Sequence, residues 1–134
     1  DTGEVELLNF VNVLDVGRVI DRNSSEGQMV AGMQLEWNQA MLFEDIYDPI
    51  TGVQMGFNHI HDRMCTSLDI PEDKNKVEFI ETIDANGPYG CHGIGEPAIG
   101  KPVVFLNAIN NAIGKWIVTT PLTPRTILRA LGKG

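Results

Sequence analysis

Fourteen consecutive residues, Gly87-Pro88-Tyr89-Gly90-Cys91-His92-Gly93-Ile94-Gly95-Glu96-Pro97-Ala98-Ile99-Gly100, hold five glycines and two prolines around a single acidic side chain. Glycine admits positive φ and lets backbone approach a bulky ligand closely, so this density describes a tight, shaped path that sets down one carboxylate at a fixed place. Glu96 is therefore the candidate chemical centre. The competing structural role is that of a carboxylate capping the helix that follows Gly100.

The chain has 134 residues, one domain's worth, long enough for a core but short for a cofactor enzyme standing alone. It begins at Asp1 without a methionine, and Asp1-Thr2-Gly3-Glu4 resembles a hairpin tip between strands, so a missing upstream strand is expected. Hydrophobic content of 43% with 21% charged residues is that of a globular protein. No apolar run approaches the ~18 residues of a membrane span, and no signal peptide is visible. The formal charge of −8 disfavours a nucleic-acid partner and implies that any phosphate is held by backbone amides or by another chain. Two cysteines, Cys65 and Cys91, fit a reduced, cytoplasmic setting better than a disulfide scaffold, with one bridge still open.

Residues Val5 to Val16 mix alternation with a continuous apolar stretch and read as a strand buried on at least one face, ended by Gly17. After the polar break Asp21–Ser25, Ser25 with Gln28 three residues on resembles a capping box opening a helix to about Phe43. Met29, Met33, Trp37 and Met41 recur every fourth residue, with Val30 and Ala40 beside them, which marks core packing rather than a cofactor surface. Asp48-Pro49-Ile50-Thr51-Gly52 is a turn before a second strand near Val53 to Phe57. A third strand is expected over Val77–Ile83. Pro102 suits a first helical position, and Phe105, Ala108, Ile109, Ala112, Ile113 and Trp116 share one face of the helix it opens. Asn107, Asn110 and Asn111 mark its polar face, and Gly114 sits near its end. Thr123 caps a last short helix with Pro124 first and Gly132 at its close. Strands and helices without clean βαβ alternation predict an α+β domain with two longer helices and a short C-terminal one.

The segments Asp15-Val16-Gly17-Arg18-Val19-Ile20, Glu26-Gly27-Gln28, Gly93-Ile94-Gly95-Glu96-Pro97 and Pro121-Leu122-Thr123-Pro124 occur in one order at sensible distances. Together they resemble the C-terminal part of the molybdopterin-binding subunit of the molybdenum hydroxylases, the family of xanthine dehydrogenase, aldehyde oxidoreductase and nicotinate dehydrogenase. Nearly the whole chain takes part in the resemblance. It implies a molybdenum cofactor, as molybdopterin or its cytosine dinucleotide, and oxidative hydroxylation of a small substrate with water as oxygen source. It implies too that Glu96 is the general base, that Gln28 lies against the pterin, and that Gly93, Ile94 and Gly95 border the cofactor. Gln28 has a structural alternative in the helix cap. A base working near neutral pH needs its charged form disfavoured by burial, and Ile94, Pro97 and Ile99 supply little charge or solvation around Glu96. The resemblance further implies [2Fe-2S] and FAD centres on partner polypeptides, since two cysteines cannot hold a cluster with four thiolates.

The chain departs from that family at two places. Glu36-Trp37-Asn38-Gln39 occupies a helical region that the family often fills with glycines, and Cys91-His92 stands where a small residue followed by lysine or serine is more usual. Two other classes compete with the enzyme. A metal site could draw on His59, His61, Cys65, Cys91 and His92, although their spacing fits no zinc pattern. A non-catalytic assembly domain of a multisubunit oxidoreductase would use the acidic surface alone. A phosphate loop is set aside because no lysine-serine or lysine-threonine pair follows the glycines.

Overall fold

The computed structural model describes residues 2–56, 58, 63–70, 72–96 and 102–133. In chain order the elements are β1 (Phe10–Asp15), α1 (Arg22–Met41), β2 (Asn75–Ile80), α2 (Pro102–Ile113) and α3 (Pro124–Ala130), with short 3-10 turns at Glu72–Lys74 and Pro88–Gly90. The mixed α+β character expected from the pattern is present. The chain divides into two compact units, one made of Leu7–Glu36 and Ser67–Gly100, the other of Asp1–Glu6, Trp37–Thr66 and Lys101–Gly134.

In the first unit β1 and β2 run parallel, with Phe10 opposite Asn75 and Asp15 opposite Ile80. Burial alternates along both strands, so Phe10, Asn12 and Leu14 share a half-covered face with Asn75, Val77 and Phe79. β1 is shorter than the Val5–Val16 stretch predicts, because a strand extends only as far as its partner and β2 is six residues long. The expected third strand, Val77–Ile83, is β2 shifted two to three residues towards the N-terminus. α1 starts at Arg22, three residues before Ser25. Its cap is Asp21, whose carboxylate accepts the Ser24 amide at 3.1 Å and the Ser24 hydroxyl at 2.7 Å. These bonds hold the Asp21 carboxyl below the usual carboxylate range. Asp21 prevails over Ser25 because an ionised carboxylate gains more from the positive end of the helix dipole than a hydroxyl does. Met29 and Met33 are buried, as the stripe requires.

In the second unit Trp37, Ala40 and Met41 are buried, and Trp37 meets Phe105 edge to face at 5.1 Å between ring centroids. The Asn38 side chain is buried too, its Oδ1 accepting the Cys65 amide at 2.7 Å. Trp37 and Asn38 therefore serve the core. The strand expected over Val53–Phe57 is absent between Val53 and Gly56, and Phe57 lies outside the described residues. In its place Asp48 accepts the Ile50 and Thr51 amides, and one antiparallel bridge joins Tyr47 to Gln54. Gly3, in the segment expected to be a hairpin tip, lies at φ +77°, where a Cβ would collide with the Pro124 carbonyl oxygen.

α2 opens on Pro102 as expected, and Gly114 at φ +63° closes it, with the Lys115 amide reaching the Asn110 carbonyl at 3.3 Å. Trp116 is therefore past the helix and 78% exposed rather than on its apolar face. Ala108 and Ala112 are exposed as well, and Phe105 and Ile109 carry the packing. Asn110 reverses expectation in the other direction. It is buried, donating from Nδ2 to the Ile117 carbonyl at 2.9 Å and accepting the Ile117 amide at Oδ1 at 3.0 Å, so it straps the segment after α2 back onto the helix. α3 has Thr123 as its cap, accepting the Thr126 amide at 3.2 Å, Pro124 first, and Gly132 at φ +70° beyond its end. Asn110→Ala leaves two buried backbone groups unpaired and should lower unfolding free energy by about 1–3 kcal/mol, whereas exposed Asn107→Ala should stay within about 0.5 kcal/mol; urea unfolding compares them.

Candidate functional site

The glycine-rich segment is fastened to the end of β1. Asp15 Oδ1 accepts the Gly17 amide at 3.0 Å and the Thr82 amide at 3.1 Å, which ties the exit of β1 to the exit of β2. The Thr82 side chain first, and then the Gly17 and Thr82 amides, hold the Asp15 carboxyl below the usual carboxylate range. Beyond that corner the backbones interlock: the Arg18 amide donates to the Gly90 carbonyl at 2.9 Å, and the His92 amide to the Val16 carbonyl at 2.7 Å. Asp15 escaped sequence reasoning as a structural residue. Its signal was the Asp-x-Gly spacing, in which an aspartate accepts the amide two residues on.

The glycines separate into two groups by what a Cβ would meet. At Gly17, φ +62°, it would collide with the Gly90 carbonyl oxygen; at Gly87 with the Cys91 carbonyl oxygen; and at Gly90, φ +81°, it would come within 2.7 Å of Ile83 Cγ2. The fold itself requires these three. Around Gly93 and Gly95 a Cβ would meet no atom within 4 Å among the described residues. Packing within the described chain does not account for glycine at those two positions.

A cleft of about 460 Å³ lies within this unit, lined by residues at the start of α1 and by Arg18, Cys91, His92, Ile94 and Gly95. Gln28 is on its wall and donates from Nε2 to the Gly95 carbonyl at 3.3 Å. The capping alternative for Gln28 falls away, since Asp21 caps α1. Gln28, Ile94 and Gly95 are thus brought to one cleft, with Gly93 between its lining residues. Glu96 follows Gly95 directly and is exposed. The burial expected from Ile94, Pro97 and Ile99 is not supplied by Ile94, which is half-buried, and Pro97 and Ile99 lie outside the described residues. The first turn of α2 contains no acidic residue, and residues 97–101, between Glu96 and that helix, lie outside the described residues. His92 places Nε2 3.4 Å from Asp84 Oδ2 at the cleft wall.

The donor set suits an organic group more than a bare ion. Among the described residues no three His, Cys, Asp or Glu side chains are grouped to hold a metal, and His59 and His61 lie outside them. Cys65 and Cys91 form no disulfide. The cleft is lined by the amide of Gln28, by Asp21, Ser24, Ser25 and Arg18, and by Gly95.

The α+β scaffold thus carries a cleft that brings Gln28 to the Gly95 carbonyl, has Asp21 among its lining residues, and is followed in sequence by Glu96. No protein-family model matches the chain. It is 31% identical over 125 residues to the xanthine dehydrogenase molybdenum-binding subunit of Escherichia coli, a match covering 92% of this chain and 16% of that protein. To the aldehyde oxidoreductase of Megalodesulfovibrio gigas it is 29% identical over 133 residues, covering 97% of this chain and 14% of the other. Among solved structures, quinoline 2-oxidoreductase from Pseudomonas putida 86 superposes with a TM-score of 0.81 at 29% identity, over 92% of this chain and 16% of that one. The Cu,Mo-CO dehydrogenase does so with 0.83 at 26%, over 99% and 17%. The chain belongs to the molybdenum hydroxylase family, and it spans about one sixth of the length of these relatives.

Two outcomes follow. Gly90→Ala should destabilise the unit while Gly93→Ala leaves thermal unfolding unchanged, because only the first sits at positive φ against a neighbour. The Asp15 carboxyl is lower in the folded than in the unfolded chain, so its contribution is complete at neutral pH and is lost as pH falls through the carboxylate range. Asp15→Asn should accordingly lose less stability than the native chain between about pH 7 and about pH 3 in urea titrations.

Proposed function

We propose that this chain is the C-terminal portion of a molybdopterin-binding subunit and that it supplies the general base, Glu96, and part of the cofactor cradle of a molybdenum hydroxylase. The observation that carries the reading is the pair of glycines, Gly93 and Gly95, that packing among the described residues does not require, immediately before an exposed carboxylate and beside Gln28. The cofactor, as molybdopterin or its cytosine dinucleotide, would supply the redox centre that takes up the electrons of substrate oxidation. Gln28 and the backbone of Gly93, Ile94 and Gly95 would hold its organic part, a role for which the open cleft beside them is suited.

The reaction class is oxidative hydroxylation of an electron-poor carbon with oxygen from water. Relatives named for xanthine, hypoxanthine, aldehyde and 6-hydroxypseudooxynicotine oxidation support an N-heteroaromatic, purine- or nicotinate-like, or an aldehyde substrate. In that chemistry Glu96 accepts the proton of the attacking oxygen and so raises its nucleophilicity at the moment of attack. A base acts best where water is excluded. Because Glu96 is exposed in this chain, the cofactor and the rest of the subunit would close over it. Activity would then depend on other polypeptide, including the one or ones that hold the [2Fe-2S] and FAD centres.

Glu96→Gln keeps the shape and removes the basic oxygen. In the assembled enzyme it should cut turnover by about 10²- to 10⁴-fold with molybdenum content unchanged, measured by steady-state kinetics and metal analysis. Unchanged turnover would remove Glu96 as base and favour the assembly-domain reading. Gly93→Val and Gly95→Val should instead lower molybdenum content while the chain still folds.

A further inference from the structure

We propose that His92 is a positioning residue for Glu96: tied to the exits of both strands, it fixes one end of the glycine run that leads to the carboxylate. The inference rests on the reading of Glu96 as the base and names what keeps that base in place.

A base removes a proton well only from a fixed position, and a displacement of about 1 Å can cost on the order of a hundredfold in rate. The run Gly93-Ile94-Gly95 is poorly equipped to fix anything by itself. Glycine gives up more backbone freedom on ordering than any other residue, and a Cβ at Gly93 or Gly95 would meet no atom within 4 Å among the described residues. Ile94 is half-buried. The run is therefore held by its ends. At the end next to Glu96, Gln28 donates from Nε2 to the Gly95 carbonyl at 3.3 Å. At the other end stands His92.

His92 is gripped twice. Its amide donates to the Val16 carbonyl at 2.7 Å, just past β1. Its Nε2 faces Asp84 Oδ2 at 3.4 Å, past the end of β2. Asp84 is placed to receive it: Oδ1 accepts the Asn86 amide at 2.9 Å, and the Asp84 amide donates to the Gly90 carbonyl at 3.3 Å, which leaves Oδ2 for the ring. With the imidazole protonated the contact is an ion pair. That charge also reaches Asp15, where it adds to the lowering of the carboxyl by the Thr82 side chain and by the Gly17 and Thr82 amides. The two ties of His92 thus run to different strands. A side chain at 92 without a cationic group keeps the first and loses the second.

The test is His92→Leu in the assembled enzyme, followed by steady-state kinetics, molybdenum content and amide hydrogen exchange over residues 93–96. Its kcat should fall about tenfold while KM and molybdenum content stay within about twofold, and exchange over residues 93–96 should quicken about two- to fivefold, the scale of a partly exposed ion pair. His92→Lys should bring both readouts back towards wild type, since an ammonium also pairs with Asp84. Asp84→Asn keeps the Asn86 bond and should cost about as much as His92→Leu, with the double variant no worse than either alone. It also carries the test if His92→Leu fails to fold. Full turnover in His92→Leu, a His92→Lys enzyme equally impaired, or a double variant whose loss is the product of the single losses would each overturn the inference. Glu96→Gln separates it from the reading beneath. Full turnover there removes the base and this role together, whereas lost turnover there beside a fully active His92→Leu enzyme removes this role alone.

Discussion

The close approach of two backbones at Gly17 and Gly90 decides where the glycine-rich segment goes. Asp15 turns the chain at the end of β1 by accepting the Gly17 amide, and the missing Cβ at Gly17 admits the Gly90 carbonyl. From there the Arg18 and His92 amides fix the neighbouring strand of loop, and Ile94 and Gly95 are delivered to the cleft beside α1. Each step depends on the one before. Any side chain at residue 17 would push Gly90 away and displace everything after it, including the carboxylate at 96.

Glycine thus does two different jobs within a few residues. At 17, 87 and 90 it lets the protein pack against itself. At 93 and 95 it leaves space that the described chain does not fill. Composition cannot tell these apart, since both appear as glycine richness, and only the positions of the neighbouring carbonyls and of Ile83 separate them. The same structure removes one rival role: Asp21 caps α1, which leaves Gln28 to the cleft.

Local punctuation made much of the fold legible. Thr123-Pro124 with Gly132, and Pro102 with Gly114, act within a turn of their own positions, and both helices sit where those residues put them. What depended on distant partners was harder to read. β1 is trimmed by the length of β2, a fact held sixty-five residues away in sequence as the Phe10–Asn75 pairing. Asn110 looked like surface because its neighbours Asn107 and Asn111 are, yet Ile117 folds back onto it. The capping box failed because two cap candidates stood four residues apart and charge favoured the earlier one. At the site, motif order groups Glu96, Gln28, Gly93, Ile94 and Gly95, and the geometry brings Gln28, Ile94 and Gly95 to one cleft. The shelter a base needs was not legible, because Glu96 is exposed and its cover belongs to other polypeptide on the reading proposed.

The central claim is that this chain completes a cofactor site shared with more polypeptide. Native purification of the chain from its own cells, with metal analysis and mass spectrometry of what travels with it, tests that most directly. The account predicts co-elution with molybdenum, a pterin and a larger molybdenum-binding polypeptide. A metal-free chain eluting alone would contradict it.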